Sequence, residues 1–229
     1  MSSIKNNVVT ELMESLLFDI GANCGNYTRA NIHKYNRVVC VDASSLQCEV
    51  LTASVPADKC SIVNALISSN TNAEFYRCSA SGISSASEEW RKGKGRFAPG
   101  GPYFEAGFQW VQESCHIISL DKLIQLYGEP SFIKIDVEGH ELEVIKSLTK
   151  YDGVIAFEWA EEMKDEAIET LKYIHEKLGH TQFFIQFEDA YTFEPPADQY
   201  RNIDDILKEI QNQWVTQRKV LWGMIWSKK

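Results

Sequence analysis

The sequence predicts an α/β fold built around a mostly parallel β-sheet, and three observations support this. Short apolar runs alternate with helical stretches from about residue 16 onwards, which is typical of parallel strands joined by right-handed crossovers. The alternation resumes after residue 120. The first apolar run leads through the turn Gly21-Ala22-Asn23-Cys24-Gly25 directly into a helical stretch. In open α/β sheets this end of a strand faces the ligand crevice.

The N-terminal part of the chain follows this rhythm without interruption. The polar residues 1–15 give only a weak helical pattern, and the first strand begins at about residue 16. We therefore expect either almost no N-terminal extension or a domain cut from a longer polypeptide. The elements that follow are a helix at Tyr27–Tyr35, a strand at Arg37–Asp42, a helix at Ser44–Ala53 and a strand at Cys60–Leu66.

The alternation of strands and helices is interrupted at about residues 79–113, which are rich in glycine, serine, aromatic and basic residues. A long irregular insertion in a compact domain is usually a functional lid or a disordered segment, and we expect this one to cover a substrate. The remaining predicted strands are Ala73–Cys78, Ser114–Ile118, Ser131–Asp136, Gly153–Glu158, Thr181–Phe187 and Val220–Trp226, and the helices are Leu120–Tyr127, Glu138–Lys150, Glu161–Leu178 and Ile203–Trp214.

Composition narrows the class of protein. The 229 residues suit a single domain over residues 1–229, since no linker-like stretch divides them. A net charge of -9 disfavours nucleic acid as a partner. No apolar run is long enough to span a bilayer, and no signal peptide is visible. The six cysteines form no C-x-x-C pair, so we expect reduced thiols and a cytoplasmic protein.

The glycine turn predicts a nucleoside site of a particular kind. Gly21 and Gly25 enclose three residues, which is not the G-x-G-x-x-G spacing that lets a pyrophosphate approach. Asp19, at the end of the first strand, would repel phosphate and attract a cation. Asp42 ends the second strand, and its carboxylate can accept hydrogen bonds from both hydroxyls of a ribose. The same residue also suits the N-cap of the helix that follows. The pair Asn64-Ala65 ends the third strand and would lie near the base.

A second polar cluster, Asp136-Val137-Glu138-Gly139-His140-Glu141, follows the strand expected beside the first one. Asp136 would face the same crevice as Asp19, and Glu138, His140 and Glu141 would occupy the first turn of a helix. A neutral His140 could take a proton from a hydroxyl. Alternatively, Asp136, His140 and the strand-end Glu158 could hold a divalent cation. A purely structural role for His140 is the third reading.

These two segments resemble the FkbM family of S-adenosylmethionine-dependent methyltransferases. The motifs are Phe18 to Thr28 and Ile133 to Glu141, with support from Val41-Asp42, Asn64-Ala65, Ser84-Ser85 and Ser119-Leu120-Asp121, and the similarity spans roughly residues 16–160. The resemblance implies a class I methyltransferase (Rossmann-like) fold with a seven-stranded, mostly parallel sheet and helices on both faces. It also implies O-methylation of sugars and other small scaffolds.

Site residues follow from the resemblance position by position. The methionine part of S-adenosylmethionine would lie along Asp19, Gly21, Asn23 and Gly25. Asp136 would face the amino group of the methyl donor or the reacting centre, and His140 and Asp136 are the catalytic candidates. The ribose would lie at Asp42 and Ala43, and the adenine at Asn64 and Ala65.

The predicted function is O-methylation of a sugar hydroxyl of a glycan or glycoconjugate. The alternatives are a non-sugar small-molecule acceptor, a NAD-dependent oxidoreductase, which the missing G-x-G-x-x-G disfavours, and a non-catalytic nucleoside-binding module. The tryptophans of the C-terminal tail would be core or an oligomer interface, namely Trp214, Trp222 and Trp226. In the insertion, Trp90, Phe97, Tyr103, Phe104, Phe108 and Trp110 would stack on sugar faces, and Arg91, Lys92, Lys94 and Arg96 would meet an anionic group or form a solvated loop.

Overall fold

The computed structural model describes residues 15–92, 106–188, 190–213 and 222–229. Its strands are β1 (Leu16–Ile20), β2 (Arg37–Asp42), β3 (Cys60–Asn64), β4 (Leu66–Ile67), β5 (Phe75–Cys78), β6 (Trp110–Glu113), β7 (Ile117–Ile118), β8 (Phe132–Ile135), β9 (Val154–Ala160), β10 (Gln182–Phe187) and β11 (Trp222–Lys228). The α-helices are α1 (Asn26–Asn31), α2 (Ser45–Ser54), α3 (Glu88–Lys92), α4 (Leu120–Tyr127), α5 (Glu141–Lys146), α6 (Lys164–Tyr173) and α7 (Ile203–Gln213).

Seven strands form the main sheet in the order β3-β2-β1-β8-β9-β11-β10. The pairs from β3 to β9 are all parallel, whereas β11 runs antiparallel to both β9 and β10. The connections reverse direction between β1 and β8, and the crevice above such a switch point is where open α/β sheets bind ligands. The predicted seven-stranded, mostly parallel sheet is confirmed.

Alternation along the strands divides the core into two layers, one on each face of the sheet. Phe18 of β1 and Ile133 of β8 belong to the layer under α4, α5 and α6. Leu17 and Phe132 belong to the opposite layer, with Leu51 of α2 and Trp226 of β11. Because a strand sends successive side chains to opposite faces, sequences apolar on both faces form strands buried between helices.

Several predicted elements differ in their bounds from the structure. The helix predicted at Glu138–Lys150 begins only at Glu141, because Glu138 and Gly139 have φ values of 57° and 85° and form a left-handed turn. The strand predicted at Cys60–Leu66 leaves the main sheet after Asn64, and β4 pairs with β7 instead. Of the strand predicted at Ser114–Ile118, only Ile117–Ile118 is a strand, namely β7, and β6 ends before this segment at Glu113.

The described residues of the insertion pack against the main sheet. β5 and β6 form an antiparallel pair, and Trp90 of α3 packs in one cluster with Trp110 of β6 and with Ala160 and Trp222 of the main sheet. Among the described residues no helix has the length and apolarity needed to cross a membrane. Five residues of the predicted acceptor surface, and one tail tryptophan, lie outside the described residues: Lys94, Arg96, Phe97, Tyr103, Phe104 and Trp214.

Candidate active site

A cavity of about 230 Å³ opens at the carboxyl ends of β1, β2 and β8. Its walls have two chemical characters. One wall is apolar, where Ala43, Leu66 and Phe75 pack together. The other wall carries carboxylates, and none of the described residues that line the cavity is a lysine or an arginine. The remaining predicted residues in the lining are Gly21, Asn23, Asp42, Ala65, Asp136, His140 and Glu158.

The glycine turn serves packing as well as ligand access. Gly21 lines the cavity with φ of 75°, and a Cβ there would lie 1.8 Å from the carbonyl oxygen of Asp136. Gly25 has φ of 80° and is absent from the cavity lining, and a Cβ there would approach Val55 and Leu51 at 3.0 and 3.1 Å. Both glycines therefore let neighbouring elements pack closely, and only Gly21 borders the cavity.

Asp42 stabilises the glycine turn through its carboxylate. Its two carboxylate oxygens accept hydrogen bonds from the backbone N–H groups of Asn23 and Ser44, each at 2.9 Å. Burial raises the pKa of Asp42 to about 6, against the lowering effect of these two donors. Each carboxylate oxygen can accept a further bond, so the arrangement is compatible with two ribose hydroxyls.

The predicted adenine contacts have different environments. Ala65 is buried and lines the cavity. The side chain of Asn64 instead turns back, and its Nδ2 donates to the carbonyl oxygens of Asp42 and Ala43 at 3.1 and 3.0 Å. Asn64 therefore braces the end of β2 and is absent from the cavity lining.

Asp19 does not reach the cavity. Its side chain is completely buried, accepts a hydrogen bond from Thr28 Oγ1 at 2.6 Å and lies 3.3 Å from Lys134 Nζ. The cation that Asp19 attracts is thus a side chain of the protein. Lys134 also lies 3.0 Å from Asp136 and donates to the carbonyl oxygen of Gly21 at 3.4 Å, so it links the glycine turn to the second cluster.

Three carboxylates converge on the cavity from different elements. Oxygens of Asp136, Glu138 and Glu158 lie within 4.8 Å of one another. Burial, together with the charges of Glu138 and Asp136, raises the pKa of Glu158 well above its usual range. The predicted metal trio contained His140 in place of Glu138. Clusters of acids are common without a metal, and we do not propose a divalent cation here.

Glu141 stabilises the backbone of the segment that carries Asp136 and Glu138. Its carboxylate accepts hydrogen bonds from the N–H groups of Val137 and Gly139 at 2.9 and 3.0 Å, and its side chain is buried. Burial raises the pKa of Glu141 to about 7. The acid at this position therefore stabilises the turn that presents Glu138.

His140 borders the cavity as a buried, uncharged ring. It is 5% exposed, and its Nε2 lies 3.1 Å from Ser68 Oγ. Burial lowers the pKa of His140 to about 4. The lowered pKa favours an uncharged imidazole at neutral pH, with one ring nitrogen engaged by Ser68, and this is compatible with both the proton-acceptor and the structural interpretations of His140.

This buried ring predicts a pH-dependent stability. Between about pH 4 and 6.5 the unfolded state binds a proton at His140 that the folded state does not. Acidification through this range should lower the free energy of unfolding by about 1.4 kcal/mol per pH unit. His140→Gln should lose this contribution in urea unfolding measured at several pH values, whereas the exposed His33→Gln should behave as the wild type. Equal slopes in all three proteins would contradict it.

The aromatic residues at the cavity differ from those predicted. Trp90 is 2% exposed and packs against Met163 and Ala160, so it is core and cannot stack on a sugar. Arg91 stacks on the ring of Tyr76 at 3.5 Å, and Lys92 pairs with Glu88.

Two aromatic residues of the C-terminal part line the cavity instead, namely Tyr191 and Trp222. Tyr191 is 42% exposed, and its carbonyl oxygen accepts a hydrogen bond from Asn31. Trp222 is a tail tryptophan predicted as core or interface, whereas Trp226 is buried and stacks on Phe132 at 5.1 Å. No sequence pattern singled out Tyr191, because only the fold brings its loop to the sheet.

Comparison with known families identifies the class of enzyme. The model of the methyltransferase FkbM domain matches residues 19–212. The chain belongs to the FkbM methyltransferase family. The match continues beyond residue 160, where the similarity found from the sequence motifs ends. The predicted class I methyltransferase fold is confirmed, and the enzyme is an S-adenosylmethionine-dependent methyltransferase.

Solved structures similar to this methyltransferase are distant from it. A precorrin-6y C5,15-methyltransferase from Geobacter metallireducens is 13% identical, with a TM-score of 0.46 and coverage of 94% of this chain and 80% of the other. The plantazolicin methyltransferase BpumL, solved in complex with SAH, is 10% identical, with a TM-score of 0.40 and coverage of 94% and 76%. No curated protein sequence matches the chain.

Proposed function

We propose that this methyltransferase transfers a methyl group from S-adenosylmethionine to a hydroxyl of a sugar, in a glycan or glycoconjugate. The observation that supports it best is the chemical division of the cavity. An apolar wall at Ala43, Leu66 and Phe75 suits an adenine, whereas the wall with Asp136 and Glu158 suits positively charged groups.

The methyl donor fits the described lining of this cavity. S-adenosylmethionine supplies an electrophilic methyl group on a cationic sulfur. Carboxylates without a lining lysine or arginine stabilise such a cation and disfavour the diphosphate of NAD. In this proposal Asp42 and Ala43 hold the ribose, Ala65 borders the adenine, and Gly21 and Asn23 lie along the methionine part. Asp136 binds the amino group of the methyl donor. Asp19, Gly25 and Asn64 do not line the cavity and instead support the elements that form its wall.

Two features support a hydroxyl acceptor of the sugar class. A hydroxyl is a poor nucleophile and must lose its proton during transfer, and the carboxylates beside the cavity can accept one. Tyr191 and Trp222 line the same cavity, and aromatic rings can pack against the C–H faces of sugars. A non-sugar hydroxyl acceptor is the alternative that shares the first feature but does not need the second.

The test uses labelled S-adenosylmethionine with a panel of sugar nucleotides, glycans and non-sugar alcohols. Transfer to a sugar, with loss of at least about tenfold in kcat/KM for Tyr191→Ala, is the expected result. Transfer only to non-sugar alcohols would overturn the substrate class. Val111→Ala, at an exposed hairpin position away from the cavity lining, is the control.

The role of Asp42 gives a separate prediction. Asp42→Asn should weaken binding of S-adenosylhomocysteine by about 1–3 kcal/mol, because charge-assisted hydrogen bonds to the ribose are lost. Isothermal calorimetry measures the change. Asp121→Asn is the matched control, since Asp121 also accepts a backbone N–H, from Thr149 at 3.1 Å, but lies away from the cavity lining. Unchanged affinity in Asp42→Asn would remove Asp42 from the ribose site.

A further inference from the structure

The strand pair β5–β6 lies outside the seven-stranded sheet but contributes to the wall of the cavity. Phe75 of β5 is 5% exposed and packs there with Ala43 and Leu66. Glu113 of β6 is the register partner of Phe75. Because directly opposed residues of an antiparallel pair have their side chains on the same face, Phe75 and Glu113 approach the same part of the fold.

Glu113 caps the start of α2. Its Oε1 accepts hydrogen bonds from the backbone N–H and the Oγ of Ser45 at 2.6 and 2.7 Å. Its Oε2 accepts from Ser44 Oγ at 3.4 Å and from Arg77 Nε at 3.2 Å. Ser44 is the N-cap residue but makes no side-chain cap bond itself. Glu113 therefore supplies the negative charge and the acceptor that a helix N-terminus favours.

The capped segment is the one that carries the proposed ribose site. Ser44 is completely buried, and its N–H donates to Asp42 Oδ1 at 2.9 Å. Ala43, between these two residues, lines the cavity. A shift at the start of α2 would therefore move both the carboxylate and part of the apolar wall. Glu113 is absent from the cavity lining, so its influence on a ligand passes through this segment.

We propose that Glu113 is a positioning residue for the nucleoside part of the methyl donor. This inference rests on the proposed function, which places the ribose at Asp42 and the adenine at the apolar wall with Phe75. Hydrogen bonds to a ribose need a carboxylate in the correct direction, and the Glu113 cap fixes the segment that holds it. The same contact joins β6 to α2 and so holds Phe75 at the cavity wall. The β5–β6 pair thereby determines how tightly the donor binds.

Glu113→Ala tests the positioning residue. We expect the Kd of S-adenosylhomocysteine to rise about tenfold, because the helix cap is lost and the ribose carboxylate shifts. KM for the methyl donor should rise by the same factor, while kcat at saturating donor stays near wild type. Glu209→Ala is the matched control, since Glu209 is 11% exposed against 17% for Glu113, also pairs with an arginine and lies away from the cavity lining. A lower unfolding temperature with unchanged Kd would reduce Glu113 to a structural role.

Ser45→Pro tests the same contact from the side of the helix. Proline suits the first position of a helix, and Ser44 already has the extended conformation, with φ of -79° and ψ of 123°, that a following proline requires. The substitution removes both Ser45 donors to Glu113 and leaves the rest of α2 in place. We expect a loss of affinity similar to that of Glu113→Ala, and no further loss in the double variant. Additive losses, about 100-fold in Kd, would show that the two residues act separately and would overturn the inference.

Calorimetry with methylthioadenosine distinguishes failure of this inference from failure of the proposed function. This compound has the ribose and adenine of the donor but lacks its amino acid part, and its binding needs no acceptor. Glu113→Ala should weaken it as much as it weakens S-adenosylhomocysteine, whereas Asp136→Asn should weaken S-adenosylhomocysteine alone. If Asp42→Asn weakens neither compound, the proposed ribose site fails. If Asp42→Asn weakens both compounds and Glu113→Ala weakens neither, or only S-adenosylhomocysteine, the inference alone fails.

Discussion

Gly21→Ala is expected to lower the free energy of unfolding by about 3 kcal/mol or more, because backbone strain and overpacking add together. The new Cβ would lie 1.8 Å from the carbonyl oxygen of Asp136, and this neighbour is backbone that cannot swing aside as a flexible side chain would. The turn after β8 must therefore move away from β1. Because Asp136 and Val137 form part of the cavity wall, binding of S-adenosylhomocysteine should weaken as well.

Gly107→Ala separates the two causes. Gly107 also has positive φ, 64°, but a Cβ there has no atom within 4 Å. This variant should cost only the strain of the left-handed conformation, about 1–2 kcal/mol, and should leave binding unchanged. Urea unfolding and calorimetry on both variants measure the difference. Equal losses of stability would show that the contact between Gly21 and Asp136 is unimportant.

The fold was predictable where local signals determine an element. The helix Leu120–Tyr127 has the predicted bounds, because Ser119 Oγ accepts the N–H of Lys122 at its start and Gly128, with φ of 96°, ends it. The start of α5 was not predictable in this way. The helical pattern at Glu138 is overridden by contacts with Ser85 and Trp90, which are distant in sequence.

The cavity was predictable where its lining residues end strands. Asp42 and Asp136 follow parallel strands, so the topology alone brings them to one crevice. Asp19 points away from the predicted crevice, because it lies on the same face of β1 as Leu17 and accepts its hydrogen bond from Thr28 of α1. Its partner Lys134 carried a usable signal, since Asp19 and Lys134 lie opposite one another in the β1–β8 register. Two opposite charges in otherwise apolar neighbouring strands predict an ion pair.

This ion pair leads to the second large prediction. Lys134→Met should lower the free energy of unfolding by about 3–5 kcal/mol, because it leaves the carboxylate of Asp19 fully buried without its cation. Asp19 is 0% exposed and would keep only the hydrogen bond from Thr28. The surface pair of the exposed Lys146 with the partly buried Glu143 provides the control, and Lys146→Met should cost less than about 1 kcal/mol.

A double variant distinguishes the two functions of Lys134. Adding Asp19→Asn to Lys134→Met removes the uncompensated charge, and an asparagine oxygen can still accept from Thr28, so urea unfolding should recover most of the lost stability. Binding of S-adenosylhomocysteine should not recover, because the ammonium that contacts Asp136 and the Gly21 carbonyl is still missing. Recovery of both properties would mean that Lys134 only neutralises Asp19. Recovery of stability alone would establish that this lysine also orders the cavity wall on which the methyl donor rests.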